Sequence, residues 1–167
     1  SINVTYRLAL ASTNKLQGYI RDVSLNKVLL TGNTALNDNK WHYVAVIIDK
    51  DNLANTKLFL DGVEDGITNK STVGTVGSLT NAGILYLGYS SSGGNIFNGQ
   101  VRDVKLYYAA GAHWSDAQIL YQAQHPFDYS ANAGTLTDYW RCDEGAGTTL
   151  YGKVNNLTLS NALAWTT

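Results

Sequence analysis

The stretch "KWHYVAVIIDKDNLANTKLFLDGVEDG", residues 40–66, limits the fold more than any other part of the chain. Asp61-Gly62 lies between apolar runs, and a tight type I′ hairpin turn needs positive φ at both central residues, which Asp-Gly supplies. Ahead of it, "KWHYVAVIID" alternates His42, Val44, Val46 and Ile48 with Trp41, Tyr43, Ala45 and Ile47. Neither set is polar, so the pattern predicts a long mid-sheet strand covered on both sides, with Trp41 in the core. His42 on such a strand is expected to be packed or hydrogen-bonded. Antiparallel β-structure is therefore the starting point.

The rest of the chain repeats the same kind of signal. "INVTYRLAL", "LQGYIRDV", "KVLLTG", "GILYLGY" and "QVRDVKLYY" are short runs rich in β-branched and aromatic residues, bounded by Asn, Ser or Gly. One segment reads differently. In "HWSDAQILYQAQHP", Ser115 and Gln118 stand at capping-box spacing, Trp114 and Ile119 at the staple positions, and Pro126 closes the run. A short helix near residues 115–124 is expected there. Residues 128–138 read as a connector, "YWRC" as the start of a further strand with Trp140 in the core, and "LTLSNALAWTT" as two more strands.

Composition removes several function classes. Twelve basic against thirteen acidic residues, with no Lys/Arg cluster, argue against nucleic acid, which needs a basic surface. A lone cysteine, Cys142, rules out an internal disulfide and a cysteine-based zinc site. No apolar run approaches the roughly 20 residues of a membrane span, and no signal peptide is visible. The lack of methionine, even at position 1, implies processing or a segment of something longer. No G-x-S-x-G, P-loop or H-E-x-x-H occurs. "DKDNLANTKLFL" fails as an EF-hand, because Leu53 and Ala54 stand where an oxygen ligand and a glycine are needed.

Four stretches together resemble the laminin-G-like domains of the concanavalin A-like lectin/glucanase superfamily. These are "KWHYVAVIID", "KLFLDGVED", "LYLGYSSSGGNIFNGQVRDVKLYYAA" and "SDAQILYQA", spanning residues 36 to 124. The resemblance implies an all-β, two-sheet antiparallel jelly-roll sandwich with one short helix. "YWRCDEGAGTTLYGKVNNLTLSNALAWT" resembles the same family's N-terminal end, although it stands at the C-terminus of this chain, and residues 1–35 resemble the middle of such a domain. Two arrangements follow: a truncated domain trailed by the start of another, or one permuted domain. We expect the second, a single domain over 1–167 in which strands 139–167 pair beside "QVRDVKLYY" and complete the sandwich.

The resemblance brings an enzyme hypothesis with it. Retaining glucanases hold two carboxyls about 5–5.5 Å apart, in this superfamily on one strand as Glu-x-Asp-x-Glu. This chain has only Glu64 and Glu144, neither in that pattern, so no catalysis is expected. Many relatives carry calcium, and Asp103, Asp143 and Glu144 are the candidate ligands. Two departures weaken them: Arg102 replaces an acid before the penultimate strand, and "LYGKVNN" replaces a stretch of oxygen ligands. Asp143 and Glu144 would otherwise satisfy backbone N–H groups or pair with an arginine.

Carbohydrate binding or adhesion is the expected function, with a glycan or glycosylated surface as partner. On "LQGYIRD", Gln17, Tyr19 and Arg21 share one face opposite Leu16 and Ile20, and Arg7, Tyr89 and the Ser90–Asn95 loop with Asn95 join it. Aromatic rings and planar polar groups are what sugars are recognised by. The rival is a structural module of a virion, fibre or cell-surface protein, joining other subunits of an assembly without sugar binding. Either implies an extracellular, cell-surface or virion setting.

Overall fold

The computed structural model describes residues 5–80, 87, 97–108, 113–130, 136–146 and 149–158. The chain forms two compact units, one from Ser1–Ile84 with Ala112–His125, the other from Leu85–Gly111 with Pro126–Thr167. The first contains β1 (Thr5–Leu10), β2 (Lys15–Arg21), β3 (Lys27–Ala35), β4 (Val44–Ile47), β5 (Lys57–Leu60), β6 (Val63–Glu64) and β7 (Asn69–Val73). These make two antiparallel sheets, in the orders β1-β2-β3-β7 and β4-β5-β6.

Alternation builds the core between them. On β2, Leu16, Gly18 and Ile20 are buried, while Lys15, Gln17, Tyr19 and Arg21 are half-exposed. Leu16 and Ile20 join Val28, Leu30, Leu58 and Val76 in one apolar cluster, with Val44 and Val46 packed against it. Burying each such side chain contributes about 1.5–3 kcal/mol. Gly18 marks a close approach of the two sheets, since a Cβ there would lie 2.7 Å from Val46 Cγ2.

The Asp61-Gly62 turn is as expected, with φ of 51° and 85°, and it joins Leu60 to its partner Val63. The long strand before it is not. Its ladder covers only Val44–Ile47, and Trp41 is 57% exposed rather than core. The cause is the turn itself. Asp61 Oδ1 accepts the Tyr43 N–H at 2.9 Å and Asp61 N donates to the Tyr43 carbonyl at 2.8 Å. Residues 42 and 43 are thus tied to the turn and not to a neighbouring strand.

The helix α1 (Asp116–Gln124) begins at an N-cap Ser115 with the full capping box to Gln118, and Ile119 is buried. Lys57 Nζ holds its first turn through Asp116 Oδ1 at 2.8 Å while also reaching Glu64 Oε2 at 3.2 Å. A Cβ on Gly62 would meet Leu120 Cδ1 at 2.8 Å, so the glycine provides both the turn and the seat for the helix.

Between β2 and β3, Asp22 closes its own loop. Its carboxylate is 3% exposed and accepts from Ser24 N (2.8 Å), Asn26 N (2.9 Å), Asn26 Nδ2 (3.0 Å) and Gly77 N (2.8 Å). The Gly77 N–H above all, helped by Asn26 and Ser24, holds it below the usual carboxylate range despite burial.

The second unit contains β8 (Val104–Tyr107), β9 (Leu136–Trp140), β10 (Thr149–Leu150) and β11 (Leu157–Thr158). β8 pairs antiparallel with β9, and β10 with β11. β9 takes in the end of the expected connector and, of the strand expected at "YWRC", only Tyr139 and Trp140. Its buried positions are Leu136, Asp138 and Trp140, and the chain leaves the ladder at Cys142, which has φ 58°. Pairing with "VKLY" is the partnership the sequence implies. Trp140 is 2% exposed, as expected, and its indole N–H donates to Asn155 O at 2.7 Å. Apart from Leu87, the strand expected at "GILYLGY" lies outside the described residues, as do residues 159–167.

Asp138 repeats the device of Asp22. It is 1% exposed, and accepts from Val154 N (3.0 Å), Asn155 N (2.9 Å), Asn155 Nδ2 (2.9 Å) and Tyr139 N (2.9 Å). Burial pushes its pKa up, but the donors from Val154, Asn155 and Tyr139 outweigh that and lower it. A carboxylate lowered by folding stabilises the chain fully above about pH 4, and that stability drains away as pH falls through the folded value. Asp138→Asn turns an amide N–H2 toward these donors and should cost about 2 kcal/mol at neutral pH. In urea unfolding, the gap between wild type and variant should narrow at acid pH; a gap independent of pH would disprove the charged contact.

Candidate functional site

The half-exposed face of the β1-β2-β3-β7 sheet gathers the residues singled out on "LQGYIRD". Arg7 stands opposite Tyr19, Gln17 opposite Thr31, and Arg21 opposite Lys27. Because directly opposed residues of antiparallel strands share a face, all six project the same way. An Arg7 guanidinium N–H donates to Gln17 Oε1 at 3.2 Å, and Gln17 Nε2 donates to Thr31 Oγ1 at 3.3 Å. The Arg7 guanidinium carbon lies 5.3 Å from the centroid of the Tyr19 ring. The result is a polar row across three strands with an aromatic ring beside it. Such a surface can offer donors and acceptors to hydroxyl groups and a flat face to C–H bonds.

Of the sequence-predicted binding residues, Arg7, Gln17, Tyr19 and Arg21 thus come together. Tyr89, Asn95 and the Ser90–Asn95 loop lie outside the described residues. Thr31 and Lys27 were missed, although "KVLLTG" alternates them against the buried Val28 and Leu30. The signal was present, but it needed the register across the turn at Asp22 to become a face.

The candidate calcium ligands are engaged with protein groups. Asp103 accepts from Tyr129 OH at 2.5 Å and from Arg102 Nε at 2.9 Å. Asp143 pairs with Arg141 at 2.7 Å, and Glu144 Oε1 accepts the Tyr151 N–H at 2.8 Å. Among the described residues no group of three or more His, Cys, Asp or Glu side chains is arranged to hold a metal ion. The three carboxylates surround the half-buried Cys142, whose thiol is pushed up to about 11 by burial first, then by Glu144, Asp103 and Asp143. The rejected EF-hand stretch has its own use: Asp49 Oδ1 accepts from Asp51 N and Asn52 N, and Oδ2 from Asn55 Nδ2.

Neither glutamate stands free of a structural partner, since Glu64 is paired with Lys57 as described. His42 is hydrogen-bonded, as expected, but by side chains. Its Nδ1 lies 2.8 Å from Asp61 Oδ2 and its Nε2 3.0 Å from Asp38 Oδ1. Both partners are acceptors only, so satisfying both requires the imidazolium. Asp38 first and Asp61 second raise the His42 pKa.

A group raised by folding stabilises fully below its unfolded pKa of about 6.5 and loses that contribution as pH rises through the folded value. Melting temperature should therefore fall on the alkaline side of neutrality. The drop is expected to be roughly 2–4 °C, that of an interaction worth about 1 kcal/mol. His42→Asn should flatten this dependence, and a variant with the same slope as wild type would refute it.

One family model matches residues 1–113, that of Laminin_G_3, described as the Concanavalin A-like lectin/glucanases superfamily. Neither a curated protein nor a solved structure gives a match.

Proposed function

This chain belongs to the laminin-G-like part of the concanavalin A-like lectin/glucanase superfamily, and on that premise we propose that it is a non-catalytic carbohydrate-binding module acting in adhesion. Domains of this superfamily often bind carbohydrate, and laminin-G-like domains are generally non-catalytic and typically extracellular. The observation that carries the reading is the Arg7–Gln17–Thr31 row beside the Tyr19 ring. No helix among the described residues is long and apolar enough to cross a membrane. A glycosylated cell or virion surface is the partner we propose.

Tyr19→Ala removes the ring and leaves the polar row. On a glycan array, wild type should retain a defined set of sugars, and the variant should bind them about tenfold more weakly, the loss of roughly 1.4 kcal/mol. A silent array at high protein concentration would reject the reading.

A second reading, an assembly module, is favoured by the edge of the same sheet. Among the described strands β1 is terminal, and Tyr6 and Leu8, opposite Ile20 and Gly18 on the apolar side, are 44% and 42% exposed. An apolar sheet edge is a place where another chain can add.

We also propose that residues 139–167 complete the same domain. The support is that β9 continues the ladder of β8, a strand inside the family match. A chain ending at residue 138 should then lose cooperative unfolding, whereas a stable, soluble 1–138 fragment would show that a separate, broken domain begins there.

A further inference from the structure

The connection from β2 to β3 is a tight hairpin. Leu25 N donates to the Asp22 carbonyl at 3.2 Å, and Asp22 N to the Asn26 carbonyl at 3.0 Å. This is a type I turn followed by one residue in the left-handed region, a place that glycine or asparagine fills without strain. Leu25 fills it here, with φ 68°. Of the other described non-glycine residues with positive φ, Asn14, Asn39, Asp61 and Asp103 are of the tolerant kind, and Cys142 is half-buried. Leu25 and Val23 are both exposed. The leucine thus strains the backbone with much of its side chain in solvent, while the hydrogen bonds on Asp22 hold the turn in place. Strain kept at an exposed apolar tip points to a use outside the chain.

A hole lies beside the tip. A cavity of about 210 Å³ has the buried Val28 and Val76 together with Leu53 on its apolar side and Gly74 in its wall. At about 30 Å³ per water, it has room for a branched aliphatic side chain. Asn26, the neighbour of Leu25, touches this wall, since a Cβ on Gly74 would fall 1.9 Å from Asn26 Oδ1. Asp51 also lines the cavity; Lys50 Nζ takes its Oδ1 at 2.5 Å, and the carboxylate remains open to a second cation. Lys27, which opens β3, stands two residues from Leu25. Tip, cavity and both charges belong to the first unit.

We infer that the tip and the cavity are two halves of one self-association surface. In a two-fold dimer, Leu25 of each copy enters the cavity of the other, and Lys27 meets the partner's Asp51. A two-fold axis requires one patch to meet itself. An apolar knob next to an apolar hole, with a cation near the first and an anion at the second, meets that condition. The inference is independent of the carbohydrate-binding reading.

Sedimentation velocity of the full chain, from about 1 µM to 1 mM, should show a monomer passing to a dimer. Leu25→Gly removes the knob and relaxes the turn. It should weaken the dimer about a hundredfold, yet raise the melting temperature of the dilute, monomeric chain by roughly 2–4 °C. Thr75→Phe, on the exposed cavity wall, should block the hole to a similar degree. Mixed together, these two variants should form a heterodimer tighter than either forms alone, because one supplies the hole and the other the knob. Lys27→Asp and Asp51→Lys should likewise each stay monomeric and pair when mixed. A chain that is monomeric throughout overturns the inference, whether or not it then sediments with phosphatidylcholine vesicles, which would assign the tip to a lipid surface. A dimer that survives both Leu25→Gly and Thr75→Phe is built elsewhere, at the β1 edge for example, and also overturns it. Failure of either mixture to pair overturns the exchange of tips.

Discussion

A buried carboxylate accepting several backbone N–H groups is the interaction on which both units depend. β-Loops leave donors without ladder partners, and a buried N–H without an acceptor costs about 1–3 kcal/mol. Asp22 gathers donors from its own turn and from Gly77, which ties the β2–β3 connection to a segment more than fifty residues away. Asp138 does the same between β9 and Val154–Asn155. Asp49 and Asp65 serve shorter loops and a strand end. With thirteen acidic residues in the chain, this use consumes a large part of the negative charge.

That division of labour shapes the candidate site. In the β1-β2-β3-β7 sheet the strands carry cations and no acid, while Asp22 and Asp65 hold backbone N–H groups beside them. The β1-β2-β3-β7 face is therefore positive although the chain as a whole is nearly neutral. The same logic explains the acidic residues of the second unit. Asp103, Asp143 and Glu144 look like a cation site in the sequence, yet each meets a tyrosine, an arginine or a backbone N–H. Their neighbours were legible as residue types; their partners depended on how the chain turns after Trp140.

Local chemistry was the most readable part of the sequence. The Asp61-Gly62 turn, the Ser115–Gln118 capping box and the period-two alternation of β2 are each decided within a few residues, and each is found. The misreadings arise where a side chain competes with the ladder. "KWHYVAVIID" has the composition of a long strand, but Asp61 draws His42 and Tyr43 away, and Trp41 lies more than half exposed. β9 begins earlier than expected because "LTD" hides two inward positions, one of them a charged residue buried by its hydrogen bonds. The binding face was half legible for a related reason: one strand's alternation shows which residues share a side, and only register shows what lies beside them.

The thiol at Cys142 has a practical meaning. Half-buried, with its proton held to about pH 11 by burial and by three carboxylates, it has almost no thiolate at neutral pH, and thiolate is the form that reacts. It is also the chain's single sulfur atom, since no methionine is present. Oxidants therefore find little to attack while the second unit is closed. A thiol reagent should therefore react slowly with the native chain and faster once the turn after β9 is unfolded, in a place where no label has to be introduced.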